Sequence, residues 1–393
     1  MKKIHVIGAG LAGLSAACTL TEAGYQVVLF EAAAQAGGRA RSYFDKQLGT
    51  RIDNGNHLLL SGNHAALRYL RRIGAEQSLI GPGAPHFPFK DLKTGAGWTL
   101  RLSAGRLPLW IFSPSRRVPG TKLTDYKTLL TLRNAKANAL VTDFVEADSA
   151  LYHNLLEPLT ISALNTMPEV ASAQPLAAIF AETVERGGAA SQPLWAKIGL
   201  SESFIDPAIA WLQERGAELK FSSRVSMLEA DQPTILAVPP WVAHDMLPEL
   251  TVPDRFESIC NLHFKINIAP EGLGFCGLLG GMAEWVFMRD EIVSVTISAA
   301  NRYMDLNQEQ IARKIWAELA QAFNLQPDCP PYRVLWEKRA TFACTPEQLA
   351  KRPGPQTPRP NILLAGDWTN TGLPATIEGA IRSGETAAKL IIG

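Results

Sequence analysis

Apolar positions near the start of the chain follow two different spacings, which predict a strand, a helix and a second strand. Residues 2–7 form a short apolar run, and apolar side chains then recur at helical spacing between residues 14 and 20. Gly24 ends this pattern, and residues 26–30 form a second apolar run. Strand, helix and strand in this order predict a βαβ unit with parallel strands.

The same spacing rules divide the rest of the chain into further helices and strands. We expect helices over residues 63–73, 201–215, 307–323 and 375–392, and a largely helical stretch over 121–190. One apolar face of that stretch is predicted to contain Leu123, Tyr126, Leu129, Leu130 and Leu132. Strands are predicted over residues 98–102, 218–221, 224–228, 234–238, 262–268, 283–288, 292–298 and 361–365, and residues 333–342 are expected to lead the chain back to the first domain.

The order of these elements predicts an α/β protein of two interleaved domains. A chain of 393 residues exceeds one ordinary hydrophobic core. The α/β alternation of the first segment returns later, so we expect one discontinuous nucleotide-binding domain made of residues 1–75, 196–242 and 333–393. The remaining residues, 76–195 and 243–332, are predicted to form a mixed α+β substrate-binding domain.

Composition narrows the range of partners. Lys and Arg total 38 against 37 Asp and Glu, a balance that gives no reason to expect nucleic acid. The five cysteines are scattered without a CxxC pair, so we expect reduced thiols in a cytoplasmic protein and no metal site. We find neither a signal peptide before the first strand nor an apolar run of membrane-spanning length.

The first strand runs into Gly8-Ala9-Gly10-Leu11-Ala12-Gly13, a GxGxxG motif that opens a helix. In a dinucleotide site the first glycine makes the tight turn, the second lets the backbone approach the pyrophosphate, and the third allows close helix–strand packing. Glu31 ends the second strand, where an acid accepts hydrogen bonds from ribose hydroxyls. The motif predicts a bound dinucleotide and leaves NAD and FAD open.

A second GxGxxG lies at residues 272–277, but it has a different context. Gly280, Gly281 and a strand follow it, so no phosphate-binding helix is expected there. We interpret this stretch as a glycine-rich hairpin.

The carboxy-terminal segment favours FAD over NAD. The strand at 361–365 runs into Gly366 and Asp367, and a helix begins near residue 375. A carboxylate at a strand end can accept hydrogen bonds from a polyol chain, and a helix N-terminus stabilises negative charge on a reduced flavin. Nicotinamide cofactors have no ribityl chain.

Three ordered motifs resemble the flavin amine oxidase and carotenoid desaturase superfamily: Gly8–Gly13 with Glu31, Gly37-Gly38-Arg39, and residues 365–368 followed by 379–384. Residues 53–59, 201–204, 283–287 and 337–342 are similar to the bacterial hydroxysqualene dehydroxylases, squalene-associated flavoenzymes of hopanoid pathways. The resemblance implies an FAD-binding Rossmann-like (GR2-type) domain with an inserted α+β substrate domain, as in amine oxidases.

The resemblance also implies the reaction and the cofactor contacts. The allylic hydroxyl of hydroxysqualene would be lost and replaced by hydride from reduced FAD, giving squalene. An external reductant, NADPH or a redox protein, would be needed, since no second nucleotide fold is found. Val225 would contact the adenosine part and Asp367 the ribityl chain. The implied FAD-binding residues are Gly8, Gly10, Leu11, Ala12, Gly13, Glu31, Gly37, Gly38, Arg39, Ala40, Arg41, Asn54, Gly55, Val225, Gly366, Asp367, Thr376 and Ile377.

Departure of hydroxide needs an acid or a strong hydrogen-bond donor, for which His57 and Asp53 are the candidates and Glu284 a more remote one. Each has a structural alternative. His57 can be an ordinary interior histidine, Asp53 can accept hydrogen bonds from loop N–H groups, and Glu284 can face solvent. Trp285 and Phe287 suit either a pocket for an isoprenoid or the protein core.

Residues 106–117 combine arginines with a Leu-Pro-Leu-Trp-Ile-Phe cluster, a composition typical of peripheral membrane contacts, although a core segment with solvated arginines has it too. Two other functions share part of these features. A desaturase or amine oxidase would use the same cofactor motifs oxidatively on a polyene or amine. A prenyl-lipid carrier related to the GDP-dissociation inhibitors would have this fold without flavin.

Overall fold

The computed structural model describes residues 2–266 and 274–393. The strands are β1 Lys3–Ile7, β2 Gln26–Phe30, β3 Ser42–Asp45, β4 Thr50–Asp53, β5 Leu59–Leu60, β6 Leu79–Ile80, β7 His86–Asp91, β8 Gly97–Arg101, β9 Pro193–Ala196, β10 Glu218–Lys220, β11 Thr234–Leu236, β12 Phe256–Lys265, β13 Phe275–Leu279, β14 Trp285–Arg289, β15 Ile292–Ile297, β16 Tyr332–Phe342 and β17 Ile362–Leu364. The helices are α1 Leu11–Glu22, α2 His64–Arg72, α3 Lys127–Leu132, α4 Glu157–Leu164, α5 Ala173–Glu182, α6 Asp206–Glu214, α7 Pro240–Met246, α8 Gln308–Phe323, α9 Pro346–Ala350 and α10 Ile377–Ile392.

A five-stranded parallel sheet carries the predicted nucleotide motif. Its strand order is β10-β2-β1-β11-β17, and β1 pairs in parallel with both β2 and β11. Helices α1 and α10 pack closely, since a Cβ atom at Gly384 would lie 2.1 Å from the carbonyl oxygen of Ala12. The βαβ unit predicted at the start of the chain is confirmed, and it shares one layer with the last strand.

A seven-stranded sheet forms the second layer, in the order β16-β12-β15-β14-β13-β7-β8. Its apolar face is covered by α8, whose Ile311, Ile315, Trp316 and Leu319 pack against β12 and β15 side chains. We expected residues 333–342 to return the chain to the nucleotide-binding part. Instead, β16 pairs antiparallel with β12 over most of its length, and the return occurs at β17. The two-domain division itself stays a prediction.

Most predicted elements are confirmed, and two local expectations are wrong. Residues 224–228 form no strand, and the side chain of Met227 is 83% exposed because this segment lies outside the sheet. Leu123 and Leu130 do not share the buried face of Tyr126 and Leu132, because short helical turns change direction there.

The second glycine motif falls partly outside the described residues, since Gly272 and Leu273 are not among them. From Gly274 onward the motif enters β13, which forms a hairpin with β14. No helix starts between these two strands, as predicted. Asn267 and Ile268, the end of another predicted strand, also lie outside the described residues. In the part of the chain that the structure describes, no helix is both long enough and apolar enough to cross a membrane.

Candidate functional site

The glycine loop between β1 and α1 has the geometry of a phosphate cradle. Gly8 has φ +104°, and a Cβ atom there would lie 2.3 Å from the carbonyl oxygen of Ala237. A Cβ atom at Gly13 would lie 1.8 Å from the carbonyl oxygen of Gly8. At Gly10, by contrast, an added Cβ would meet nothing within 4 Å. Packing therefore requires glycine at two positions, whereas the third borders the open space that a phosphate needs.

The N-terminus of α1 faces this open space with its backbone N–H groups. Gly10 is the N-cap residue and supplies no side-chain cap, and no acidic residue lies in the first turn. Leu11 and Ala12 begin the helix with buried side chains. Uncapped N–H groups and the positive end of the helix dipole suit a pyrophosphate.

Glu31 is held against the glycine loop. One carboxylate oxygen accepts a hydrogen bond from the Ala9 N–H at 2.9 Å, and the other accepts one from the Ala33 N–H at 2.8 Å. The Ser223 N–H donates to the carbonyl oxygen of Glu31, which brings the segment containing Val225 alongside. These contacts place both residues at the adenosine end of the expected site, but their contacts with the cofactor stay predictions.

Gly37 and Gly38 lie over the glycine loop, and the arginine that follows them contacts the carboxy-terminal part of the chain. The Gly37 N–H donates to the Ala9 carbonyl, and Gly37 and Gly38 both have positive φ, at 110° and 56°. Arg39 follows and donates two hydrogen bonds to the Asp367 carboxylate, at 2.7 and 2.8 Å. Its guanidinium also donates to the carbonyl oxygen of Ala340. Motifs separated by 328 residues thus meet through one ion pair.

Other residues named by resemblance lie around this ion pair. The side-chain amide of Asn54 donates to the carbonyl oxygen of Arg39. Its backbone N–H donates to the carbonyl oxygen of Arg41, which follows Ala40. Gly55 leaves room for Asn261, since a Cβ would lie 2.9 Å from its amide nitrogen.

The carboxy-terminal motif that contains Gly366 and Asp367 is anchored to α10. The Gly366 N–H donates to the Ser383 hydroxyl at 2.8 Å. Thr376 caps α10 by accepting a hydrogen bond from the Gly379 N–H, and Ile377 begins the helix. Gly366, the residue before Asp367, is thus tied to Ser383 in the second turn of α10. The binding roles of these residues stay predictions.

A small, partly open pocket lies next to this junction. Polar residues Asp53, Asn56, His57, Arg289 and Ser294 line it together with Trp195, Ala196, Leu200, Gly274, Phe287 and Met288. Phe287 and Trp285 point to the same face of β14, where both rings stack with Phe275. Phe287 therefore gives the pocket an apolar surface, and Trp285 lies next to it on the same face of β14.

His57 borders the pocket and is expected to be uncharged at neutral pH. Burial, opposed by Asp53 and assisted by the nearby Arg39 cation, lowers its pKa to about 4. A neutral imidazole can exchange hydrogen bonds with a ligand, but it is not a strong acid at pH 7. Its proposed role as proton donor stays a prediction.

Asp53 has a different environment from the one a proton donor needs. Its carboxylate accepts hydrogen bonds from the Ser42 hydroxyl at 2.6 Å, the Leu200 N–H at 2.9 Å and the Arg289 guanidinium at 2.9 Å. In all three contacts the carboxylate is the acceptor, so they favour the structural alternative that we considered for this residue.

Glu284 does not line the pocket. Its carboxylate accepts hydrogen bonds from the Arg302 guanidinium at 2.6 Å and from the Ser298 N–H at 2.7 Å. Burial raises its pKa to about 7 although Arg302 opposes this shift. The side chain is 13% exposed, so it does not face solvent as its structural alternative suggested.

Sequence reasoning missed two polar residues of this region. Arg289 ends β14 at the pocket wall, and His263 lies just behind Ser294, whose hydroxyl is 2.7 Å from the imidazole Nδ1. Burial lowers the pKa of His263 to about 4. A histidine at an inward position of an apolar strand was the available signal for His263, and a basic residue ending a buried strand was the signal for Arg289.

Comparison with known proteins gives concordant matches. The family "Flavin containing amine oxidoreductase" matches residues 11–176 and 278–392. The chain is 45% identical to hydroxysqualene dehydroxylase of Rhodopseudomonas palustris, covering 100% of this chain and 98% of that protein. It is 43% identical to the proteins of the same name from Sinorhizobium fredii and Zymomonas mobilis, again over 100% of this chain and over 98% and 99% of theirs.

Solved structures with a similar fold include cyclohexylamine oxidase from Brevibacterium oxydans, with a TM-score of 0.73 and 16% identity over 100% of this chain and 98% of that one. An oxidoreductase from Methanosarcina mazei gives a TM-score of 0.72 and 14% identity over 98% and 100%. At this identity the likeness concerns the fold alone, and it confirms the predicted amine-oxidase-like architecture.

Proposed function

Because this chain belongs to the flavin-containing amine oxidoreductase family and, within it, to the hydroxysqualene dehydroxylases, we propose that it converts hydroxysqualene to squalene. It is an FAD-dependent oxidoreductase, and the observation that carries the proposal is full-length identity of 43–45% to three proteins of that name. When bound, FAD in its reduced form supplies the hydride that replaces the hydroxyl group.

The residues of the glycine loop fit the cofactor. Gly10 and the first turn of α1 would hold the pyrophosphate, and Glu31 would accept hydrogen bonds from the ribose. Asp367, which Arg39 holds in place, would accept hydrogen bonds from the ribityl chain. This order leads from the adenosine end at β1 and β2 towards the pocket beyond Asn54.

The chemistry of the pocket lining suits the alcohol end of an isoprenoid substrate. Trp195, Leu200, Phe287 and Met288 offer apolar surface for alkenyl groups, and the polar side chains of the lining could contact the hydroxyl group. An apolar wall excludes water, which protects a cationic allylic carbon from recapture by water. The neutral His57 would contribute a hydrogen bond to the reacting group rather than a full positive charge.

We also propose a peripheral membrane contact, on the cytoplasmic side, through residues 106–117. Leu107, Leu109 and Phe112 are 68%, 59% and 64% exposed, while Trp110 between them is buried and anchors the segment. Arg106 and Arg117 add positive charge. Exposed apolar side chains flanked by cations suit an anionic lipid surface, from which a water-insoluble substrate would enter.

The reductant is proposed to be a separate molecule, either a dihydronicotinamide or a redox protein. Stopped-flow mixing of the oxidised holoenzyme with NADPH, compared with a reduced ferredoxin or flavodoxin, distinguishes the two. Bleaching of the flavin by NADPH alone within the turnover time would support the nicotinamide.

A single-turnover experiment tests the reaction. Holoenzyme is reduced anaerobically with dithionite and mixed with hydroxysqualene, and squalene is measured by mass spectrometry together with flavin reoxidation. We expect one squalene per flavin. No squalene, combined with reduction of the oxidised enzyme by an amine or by phytoene, would favour the oxidative alternative. Purified protein that stays colourless after addition of FAD would favour the flavin-free carrier.

A further inference from the structure

We propose that Arg289 binds the hydroxyl group that the substrate loses, and that Asp53 positions the Arg289 guanidinium for this task. The inference rests on the proposed function and assigns the group that assists hydroxide departure. It differs from the expectation drawn from the sequence, in which His57 or Asp53 supplied an acid.

Arg289 stands at the pocket wall with part of its guanidinium unused. One nitrogen, Nη2, donates to the Asp53 carboxylate at 2.9 Å. Within residues 2–266 and 274–393 the guanidinium makes no other hydrogen bond. Its side chain is 23% exposed and that of Asp53 is 5% exposed. The remaining N–H donors are therefore available to a ligand in the pocket that both residues line.

Asp53 is itself fixed on two other sides. The Ser42 hydroxyl and the Leu200 N–H both donate to its Oδ1 atom, at 2.6 and 2.9 Å, whereas Arg289 occupies Oδ2. The carboxylate thus cannot rotate without losing hydrogen bonds in a buried environment. A guanidinium held by a fixed carboxylate needs no reorganisation when charge develops on a bound oxygen atom.

Charge distinguishes Arg289 from the other polar residues of the pocket. Asp53 is an ion-paired acceptor, and His57 is neutral at pH 7 because burial lowers its pKa. Among the described residues that line the pocket, Arg289 alone carries a permanent positive charge. Charge-assisted hydrogen bonds are about twice as strong as neutral ones, which suits an oxygen atom that becomes negative.

In the proposed step the substrate exchanges its hydroxyl group for a hydride. The allylic C–O bond breaks and both electrons leave with oxygen, while a hydride from reduced FAD forms the new C–H bond and FAD is oxidised by two electrons. The departing oxygen takes one proton, ultimately from solvent, and leaves as water. Arg289 keeps its own protons, since guanidinium does not deprotonate in proteins, and stabilises the oxygen by donating hydrogen bonds.

The first test uses the rate of the chemical step. In single-turnover reactions, Arg289→Gln is expected to slow squalene formation by about a hundredfold to a thousandfold, the usual loss of one oxyanion donor. Arg289→Lys keeps the charge but not the planar fork, so an intermediate rate is expected. Arg333→Gln is the matched control, because Arg333 pairs at 3.3 Å with Asp45, another carboxylate that is 5% exposed, but does not line the pocket.

The second test reads binding rather than activity. Quenching of tryptophan fluorescence in the oxidised holoenzyme gives dissociation constants for hydroxysqualene and squalene, since Trp195 lines the pocket. A hydrogen bond to a charged group predicts that the wild type prefers the alcohol by about tenfold or more. Arg289→Gln should lose this preference and keep its FAD content, whereas Arg333→Gln should keep both.

Removal of Arg289 leaves Asp53 as an uncompensated buried charge, so a double variant, Asp53→Asn with Arg289→Gln, guards against misfolding. If either folded variant keeps the wild-type rate or the wild-type preference for the alcohol, the proposal is wrong. If the wild-type holoenzyme makes no squalene, the proposed function fails, and this assignment fails with it. A wild type that is active beside unaffected Arg289 variants overturns the assignment alone.

Discussion

Two alanine substitutions, three residues apart in the glycine loop, should separate folding from cofactor binding. The structure gives them opposite surroundings. At Gly13 a Cβ would lie 1.8 Å from the carbonyl oxygen of Gly8 and 3.3 Å from the Cβ of Ala237. At Gly10 it would meet nothing within 4 Å, and the backbone φ of −73° is open to any residue. Gly13→Ala therefore strains the folded protein, whereas Gly10→Ala fills only the phosphate space.

The magnitudes follow from these distances. Overpacking costs about 1–3 kcal/mol and occasionally more. The Gly13 contact is with the backbone of Gly8, which cannot rotate away as a flexible side chain can, so we expect about 3 kcal/mol of lost unfolding free energy. At the N-cap position alanine is less favourable than glycine, which predicts a loss of at most about 1 kcal/mol for Gly10→Ala.

Urea unfolding of the FAD-free proteins measures the loss of unfolding free energy in each variant. Thermal unfolding with and without FAD measures cofactor binding, because a ligand at a hundredfold excess over its dissociation constant contributes about 2.7 kcal/mol to the stability of the folded protein. The wild type should show this stabilisation. Gly10→Ala should unfold like the wild type without FAD and gain little from adding it.

Two results would refute this reasoning. If Gly10→Ala binds FAD as tightly as the wild type, the pyrophosphate does not lie over that glycine. If Gly13→Ala is as stable as Gly10→Ala without FAD, the close approach of α1 to β1 is not a constraint on the fold.

Three further predictions concern other parts of the molecule. Asp367→Ala should release FAD at concentrations where the wild type retains it, as measured by absorbance after gel filtration, and undiminished retention would remove Asp367 from the site. The native pKa of about 4 for His57 and His263 lies below the ordinary 6.5, so stability should be fully present above pH 6.5 and fall as the pH drops towards 4, by up to about 1.4 kcal/mol per pH unit for each histidine. His263→Gln should make this slope shallower in urea unfolding at each pH; an identical slope would contradict the assignment. Leu107→Ser with Phe112→Ser should abolish flotation with anionic liposomes while leaving FAD content unchanged, and retained flotation would argue against the membrane contact.

The parts of the fold that sequence reasoning predicts well are those set by neighbouring residues. The strand, loop and helix around Gly8–Gly13 are confirmed because the glycine spacing, the apolar runs and Glu31 all lie within one short stretch. The helix α8 is confirmed for the same reason. The structure adds its cap, since the Asn307 side chain accepts a hydrogen bond from the Gln310 N–H.

Pairing between distant segments was harder to predict. Residues 224–228 have the composition of a strand but lie outside the sheet, since β-propensity does not specify a partner. The strand β16 joins β12 rather than the nucleotide sheet for the same reason.

The pocket shows this limit most clearly. Asp53 and Arg289 are 236 residues apart, and no local pattern connects them. An isolated aspartate near a flavin motif suggests acid chemistry, whereas the same aspartate with three donors suggests a support for the arginine. The difference depends on long-range contacts, which sequence spacing does not contain.

The interleaving of the five-stranded sheet also has a consequence for biogenesis. The central strand β1 pairs with β2 early in synthesis, but its other neighbour, β11, is made much later, and β17, which pairs with β11, is made near the end of the chain. At roughly 5–20 residues per second, β11 follows β1 after about 10 to 50 s and β17 after about 20 to 70 s. During that interval β1 lacks β11 and α1 lacks α10, the elements that cover their apolar surfaces in the folded protein. Flavin loading therefore belongs to the period after release from the ribosome.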